Sequence, residues 1–164
     1  MILVALDTSC LNAKQTNLVL NALDELEKAG TVKTVTSTVN SREQVATNLR
    51  EEYREKYLKR IAEKGPKPEV GYWGESSWGG CVYGDKTVAD DLVEIFGGQA
   101  ALSRSNFFDI WLLQTAIAHR CQYFLTTNKR DFIEGGRKER IEALGIKVRE
   151  PNDNFLVELQ GFLI

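Results

Sequence analysis

Two kinds of segment alternate along the chain: short runs of apolar or β-branched residues, and longer stretches with apolar residues at helical spacing. Residues 2–6 (ILVAL) are continuously apolar, as expected for a strand buried on both faces of a parallel sheet. The segments 32–39, 123–126 and 146–148 are the other candidate strands. Strands and helices therefore alternate, which favours a mostly parallel central sheet with helices on both faces, a three-layer α/β/α fold.

Capping signals and apolar spacing mark the predicted helices between these strands. Ser41 and Gln44 have the spacing of a capping box at the start of a long charged helix. Ser105 or Asn106 is expected to cap a later helix, which places Asp109 in its first turn. The predicted helices run from about 11 to 30, from 40 to about 64, and over 87–96, 105–119, 137–144 and 151–163.

A length of 164 residues fits one domain, and no linker or repeat divides residues 1–164. The segment at about 65–103 is interpreted as an insertion rich in Gly and Trp, forming an ordered loop that could include a short hairpin. No apolar run reaches the roughly 20 residues that a membrane span needs. The short apolar N-terminal run lacks the features of a signal peptide, so we expect a cytoplasmic protein without membrane contact.

The chain offers few residues for histidine or thiolate chemistry. His119 is the only histidine, and the three cysteines have no metal-ligand spacing. A net charge of −2 gives no overall attraction to nucleic acid, although a local basic face is compatible with it. Chemistry in this chain must therefore depend on carboxylates, hydroxyls and lysines.

Three acids far apart in sequence are expected at one edge of the sheet. Asp7 directly follows the first strand, Asp131 follows the third strand, and Asp109 opens the helix that leads into it. Sites in such sheets form beyond the carboxyl ends of the strands. Clustered carboxylates repel, and a hard cation with oxygen ligands removes the conflict. Each acid also has an ordinary interpretation as a cap, a helix-dipole partner or a loop residue.

The ordered set of these segments resembles the PIN-domain family. Residues 5–9 (ALDTS) look like its first motif, residues 108–118 (FDIWLLQTAIA) its acidic helix, and residues 124–132 (FLTTNKRDF) its closing motif. The resemblance spans nearly the whole chain and implies a PIN-like fold. It also implies a Mg²⁺- or Mn²⁺-dependent endoribonuclease that hydrolyses RNA phosphodiester bonds, in many members the toxin of a toxin–antitoxin pair.

Carried over residue by residue, the resemblance assigns metal binding to Asp7, Asp109 and Asp131. The second acid of the family points to Glu43, with Glu75 in the insertion as a rival. Many members have Asp where this chain has Asn128, so either Asp131 takes the fourth ligand place or the metal is held more weakly.

Further residues beside the expected site are candidates for substrate contact. Thr8, Ser9 and Thr127 would orient water or phosphate, and Asn128, Lys129 and Arg130 would contact the RNA backbone. The basic segment around Arg137 and the aromatic residues of the insertion each have an alternative interpretation, as a solvated helix face and as packing.

Partners follow from the resemblance as well: RNA, an antitoxin protein and a second copy in a homodimer. The alternative function is a catalytically weak or inactive PIN-like module in RNA binding or protein interaction. A phosphatase is disfavoured because Ser9 stands where a second Asp is required.

Overall fold

A computed structural model describes residues 1–13, 16–72, 75–76 and 79–162. Within these ranges, four strands form one parallel sheet in the order β2-β1-β3-β4. The strands are β1 (Ile2–Leu6), β2 (Val32–Val35), β3 (Tyr123–Leu125) and β4 (Lys147–Arg149). The predicted α/β fold with a parallel sheet is confirmed. Because β1 pairs with both β2 and β3, its carboxyl end lies in the middle of one sheet edge.

Helices cover both faces of the sheet, which makes the fold three-layered. Alternate strand residues contribute to two separate clusters: Ala5 and Phe124 pack in one, and Val4 and Leu125 in the other. The helices are α1 (Thr8–Ala13), α2 (Leu18–Lys28), α3 (Thr38–Ala46), α4 (Glu51–Glu63), α5 (Lys86–Ile95), α6 (Arg104–Ala118), α7 (Lys129–Phe132), α8 (Arg137–Glu142) and α9 (Asp153–Gly161). None of the helices in the described ranges has the length and apolar character needed to cross a bilayer.

The second strand is shorter, and the helix after it begins earlier, than the sequence predicts. Ser37 is the N-cap of α3, because its main-chain N–H donates to Asn40 Oδ1 at 2.7 Å. The capping box is therefore Ser37 with Asn40, and the predicted pair Ser41 with Gln44 is wrong. The single long helix predicted here is also interrupted, because residues 47–50 are not helical.

Two other predicted helices also differ in their starts. Asn17 caps α2 through its side-chain oxygen, so the helix predicted from Leu11 is divided into α1 and α2. Ser103 Oγ accepts the Asn106 N–H at 3.1 Å and starts α6 before Ser105. Asp109 consequently lies in the second turn of α6, and its expected place in the first turn is wrong.

The inserted segment first contacts the chain just after β2, where Lys67 pairs beside Ser37. Lys67 donates its N–H to Thr36 O at 2.8 Å and accepts from Thr38 N–H at 3.0 Å. Further on, Val70 and Val82 form a parallel bridge, and the described residues of this segment show no antiparallel hairpin. Trp73 and Trp78 lie outside the described residues.

The Tyr72 ring shows how the insertion packs on the domain. Its edge meets Trp111 and Phe107 of α6 at centroid distances of 5.5 and 5.4 Å. The Trp111 Nε1–H donates to Val70 O at 2.7 Å. Packing is thus the observed role of Tyr72, whereas Tyr83 is fully exposed.

A polar cluster fixes helix α9 against β3 and β4. Glu158 accepts from Arg149 Nε at 2.6 Å, from Lys147 Nζ at 3.2 Å and from Tyr123 Oη at 3.0 Å. These bonds, the one from Arg149 above all, lower the pKa of Glu158 to about 2. The side chain is only partly exposed, so solvent screens the interaction incompletely.

We expect Glu158→Gln to lower the free energy of unfolding at pH 7 by about 1–2 kcal/mol. A carboxylate with a depressed pKa contributes stability above its unfolded value of 4.5, and the contribution is lost as the pH falls toward 2. Urea unfolding between pH 7 and pH 2.5 should therefore show the difference shrinking below pH 5. Glu25→Gln, which removes an exposed pair, is the control and should cost under about 0.5 kcal/mol. A difference that persists unchanged at pH 2.5 would contradict the assignment.

Candidate active site

The carboxyl ends of β1 and β3 meet at Asp7. The Asp7 N–H donates to Leu125 O at 2.9 Å, which continues the pairing of the two strands by one residue. The Asp7 carbonyl accepts from Cys10 N–H at 3.0 Å and so starts helix α1. Both main-chain groups are thus committed, and the direction of the side chain follows from the sheet.

The Asp7 carboxylate is only 3% exposed. Its Oδ2 accepts hydrogen bonds from the hydroxyls of Ser9 and Thr126, the latter at 2.8 Å. Burial raises the pKa of Asp7, and these hydrogen bonds oppose the shift without cancelling it. Such a group is costly for the fold unless a positive charge neutralises it.

Glu43 of α3 lies beside Asp7. Its Oε2 accepts from the Thr8 hydroxyl, and burial followed by the charge of Asp7 raises its pKa to about 7. The rival acid Glu75 is engaged elsewhere, in an ion pair with Arg104 at 2.8 Å. The structure therefore brings Glu43, and not Glu75, into the electrostatic neighbourhood of Asp7.

Asp109 of α6 also has a strongly raised pKa. Burial, and after it the charges of Asp7, Glu43 and Asp131, raise its pKa to about 8, against a hydrogen bond from Asn106. Its Oδ2 is buried and has no hydrogen-bond partner. An unsatisfied buried carboxylate oxygen is rare in folded proteins and calls for a ligand or a function.

Asp131 lies at the rim of this group and has partners of its own. Asn128 Nδ2 donates to Asp131 Oδ2 at 2.7 Å, and Arg137 Nη1 lies 3.6 Å from Oδ1. Asn128 also accepts the Asp131 N–H through Oδ1 at 3.3 Å and caps the short helix α7. Asn128 thus holds Asp131 in place, a contact that two neighbouring carboxylates would not make.

Three hydroxyls around the acids share one arrangement, in which an N–H donates to the hydroxyl oxygen and the hydroxyl donates to a carboxylate. The Thr127 N–H donates to Ser9 Oγ at 3.1 Å, and the Asn128 N–H donates to Thr126 Oγ1 at 2.9 Å. Both hydroxyls in turn donate to Asp7. The Thr8 hydroxyl accepts from the amide of Asn40 at 3.1 Å and donates to Glu43. Substrate contact by Thr8, Ser9, Thr127, Asn128, Lys129 and Arg130 stays a prediction.

The four acids lie near one another without converging on one point. Among the described residues, no three His, Cys, Asp or Glu side chains form a ready-made metal site. The charges of the other three nevertheless raise the pKa of Asp109, which is a longer-range effect than coordination. An all-oxygen donor set with an unpartnered oxygen on Asp109 fits a hard divalent cation.

Sequence reasoning missed two residues that contact an acid or its hydroxyl partner. Thr126 donates to Asp7, and Asn40 donates to Thr8. Thr126 ends the predicted third strand, and a hydroxyl at that place was the available signal. Asn40 gave none, because its contact depends on how helix α3 starts. Arg137 was expected only as part of a basic segment, and the structure places its Nη1 3.6 Å from Asp131 Oδ1.

Comparisons with known proteins identify no family. No family model matches the chain, and no curated protein matches it. Among solved structures, the chain is similar to one titled "Structure of FitAB bound to IR36 DNA fragment", at 18% identity and a TM-score of 0.46 over 90% of this chain and 94% of that one. It is similar also to FitAcB from Neisseria gonorrhoeae, at 17% identity and a TM-score of 0.45 over 90% and 97%. These two likenesses are too distant to assign a family or an activity.

We expect Asp109→Asn to stabilise the metal-free protein by at least about 1 kcal/mol at pH 8, because the amide carries no charge to bury. A carboxyl with a raised pKa binds more protons in the folded than in the unfolded state, so stability falls as the pH rises from about 4 to about 8. Urea unfolding in EDTA over that range should show a smaller loss of stability for the variant. Asp153→Asn, on the exposed start of α9, is the control. Identical pH profiles for wild type and Asp109→Asn would contradict the prediction.

Proposed function

We propose that this protein is a metal-dependent endoribonuclease with Asp7, Glu43, Asp109 and Asp131 at its centre. The observation that carries the proposal is the unpartnered, buried oxygen of Asp109 among three further acids. A metal-dependent hydrolase of phosphodiesters needs such a concentration of oxygen ligands, whereas a purely structural core does not. The PIN-like sequence motifs at the same residues support the choice of RNA as substrate.

Asp7 and Asp109 are the residues that would hold a Mg²⁺ or Mn²⁺ ion, with Glu43 and Asp131 completing the set. When bound, such an ion lowers the pKa of a water molecule and offsets negative charge on the phosphate. Ser9 and Thr126 keep the Asp7 carboxylate in one orientation. Arg137 Nη1 lies 3.6 Å from Asp131 Oδ1 and so holds this carboxylate.

The proposed RNA contacts are basic side chains next to Asp131. Arg130 is exposed, and Lys129 is exposed and paired with Glu150 at 2.8 Å. Arg140 extends the positive charge along helix α8. We propose in addition, on the resemblance alone, a protein antitoxin and a homodimer as partners.

A second candidate function is a PIN-like module without catalysis, acting in RNA binding or protein interaction. The acids do not form a ready-made metal site within the described residues, and Asp131 is already engaged by Asn128 and Arg137. A module of this kind binds RNA without Mn²⁺ and without need of Asp7, which distinguishes it from the enzyme.

We expect Asp7→Asn and Glu43→Gln each to lower Mn²⁺-dependent cleavage of single-stranded RNA by at least about a hundredfold, because each removes a charged oxygen ligand. Cleavage of a fluorescence-quenched RNA with Mn²⁺, and with EDTA instead, measures the effect. Glu75→Gln is the matched control and should keep wild-type activity, since Glu75 pairs with Arg104. Cleavage that is unchanged in Asp7→Asn, or that continues in EDTA, would refute the proposed enzyme.

We expect Arg130→Ala with Arg140→Ala to weaken RNA binding and to reduce its dependence on salt. For a single strand, removal of one phosphate-binding cation should lower the slope of log K against log salt by about 0.7. Fluorescence anisotropy with Asp7→Asn as background measures binding without cleavage. Lys56→Ala with Lys59→Ala on α4 is the charge-matched control. An equal loss of affinity in both double variants would show that only overall charge matters.

A further inference from the structure

The amide of Asn40 is buried among four groups: the N–H and the hydroxyl of Ser37, the carbonyl of Leu6 and the hydroxyl of Thr8. Its side chain is only 1% exposed, and both ends of the amide are used. Oδ1 accepts from Ser37 N–H at 2.7 Å, and Nδ2 donates to Leu6 O and to Thr8 Oγ1, each at 3.1 Å. A main-chain N–H can only donate and a carbonyl can only accept, so the orientation of this amide is fixed from both sides.

The fixed amide in turn directs the Thr8 hydroxyl. A threonine hydroxyl has one proton, and Asn40 Nδ2 occupies a lone pair of its oxygen. The proton of Thr8 is therefore left for Glu43 Oε2, which accepts it. Without Asn40, the Thr8 oxygen loses this donor, and the direction of its proton is no longer constrained from that side.

This arrangement differs in one respect from the two hydroxyls that hold Asp7. Ser9 and Thr126 receive their hydrogen bonds from main-chain N–H groups, which no substitution to another non-proline residue removes. Thr8 receives its hydrogen bond from a side chain, so its direction depends on the identity of residue 40. A single substitution away from the acids can therefore release Glu43.

We propose that Asn40 is a positioning residue that holds Glu43, through Thr8, in the orientation needed to bind a divalent cation. The proposal rests on the proposed function for the role of the cation. The chain Asn40–Thr8–Glu43 itself is independent of it. Groups that orient a metal ligand affect metal affinity without contacting the ion.

The first test measures Mn²⁺ affinity by electron paramagnetic resonance of the free ion. Asn40→Ala and Thr8→Val should each weaken binding about 10–100-fold, whereas Thr8→Ser, which keeps the hydroxyl, should stay within about threefold of wild type. Asn17→Ala is the matched control, because Asn17 also uses both amide ends, to cap α2 and to contact Pro151 O. It should lose stability and keep its Mn²⁺ affinity. Wild-type affinity in Thr8→Val, or an equal loss in Asn17→Ala, would overturn the proposal.

The second test needs no metal. Urea unfolding in EDTA gives a double-mutant cycle for Asn40→Ala and Glu43→Gln, two residues whose coupling should run through Thr8. Glu43→Gln changes the unfolding equilibrium constant by some factor, and this factor should differ at least about threefold between the wild type and Asn40→Ala. The difference should vanish when the cycle is repeated in Thr8→Val. Additive effects, or coupling that survives Thr8→Val, would overturn the proposal.

The two tests also separate this proposal from the proposed function. If the wild type binds no Mn²⁺, the proposed function fails, and the cycle alone decides the role of Asn40. Asn40→Ser, which removes the Nδ2 donor without adding a charge, replaces Asn40→Ala in both tests if that variant does not fold.

Discussion

Asp109 keeps a carboxylate oxygen in the protein interior without a hydrogen-bond partner, close to three other acids. Because these carboxylates repel one another, each needs donors from its surroundings to stabilise it. The hydroxyls of Ser9 and Thr126 donate to Asp7, and the hydroxyl of Thr8 donates to Glu43. Asp131 accepts from Asn128 and forms an ion pair with Arg137. Asp109 has only a hydrogen bond from Asn106, and its Oδ2 stays buried without a partner.

The parts of the fold that could be predicted from sequence are those with a strong local signal. A continuous apolar run such as Ile2–Leu6 identifies a buried strand, and the acid that ends it identifies the sheet edge. The start of α3 could not be predicted, because it depends on a contact between Ser37 and Asn40 rather than on the more regular pair downstream. The sequence likewise leaves the choice between Glu43 and Glu75 open, since neither spacing nor composition fixes the path of the segment that carries Glu75.

Much of the candidate site is held by hydrogen bonds between residues distant in the chain, and these carry no sequence signal. Thr126 and Asp7 are 119 positions apart, and Asn40 and Thr8 are 32 apart. The insertion adds a further long-range brace, because Glu69 pairs with Arg42 at 2.8 Å and Val70 accepts from Trp111. These contacts join the insertion to α3 and α6, the two helices that present Glu43 and Asp109.

The contact of Lys67 with the chain just after β2 has a consequence for self-association. An uncovered edge strand offers a row of free N–H and C=O groups that another chain can pair with. Here Lys67 occupies Thr36 O and Thr38 N–H just beyond the carboxyl end of β2, and Glu27 accepts the Thr34 N–H at 3.1 Å. These contacts leave fewer main-chain groups at this edge free to pair with another chain.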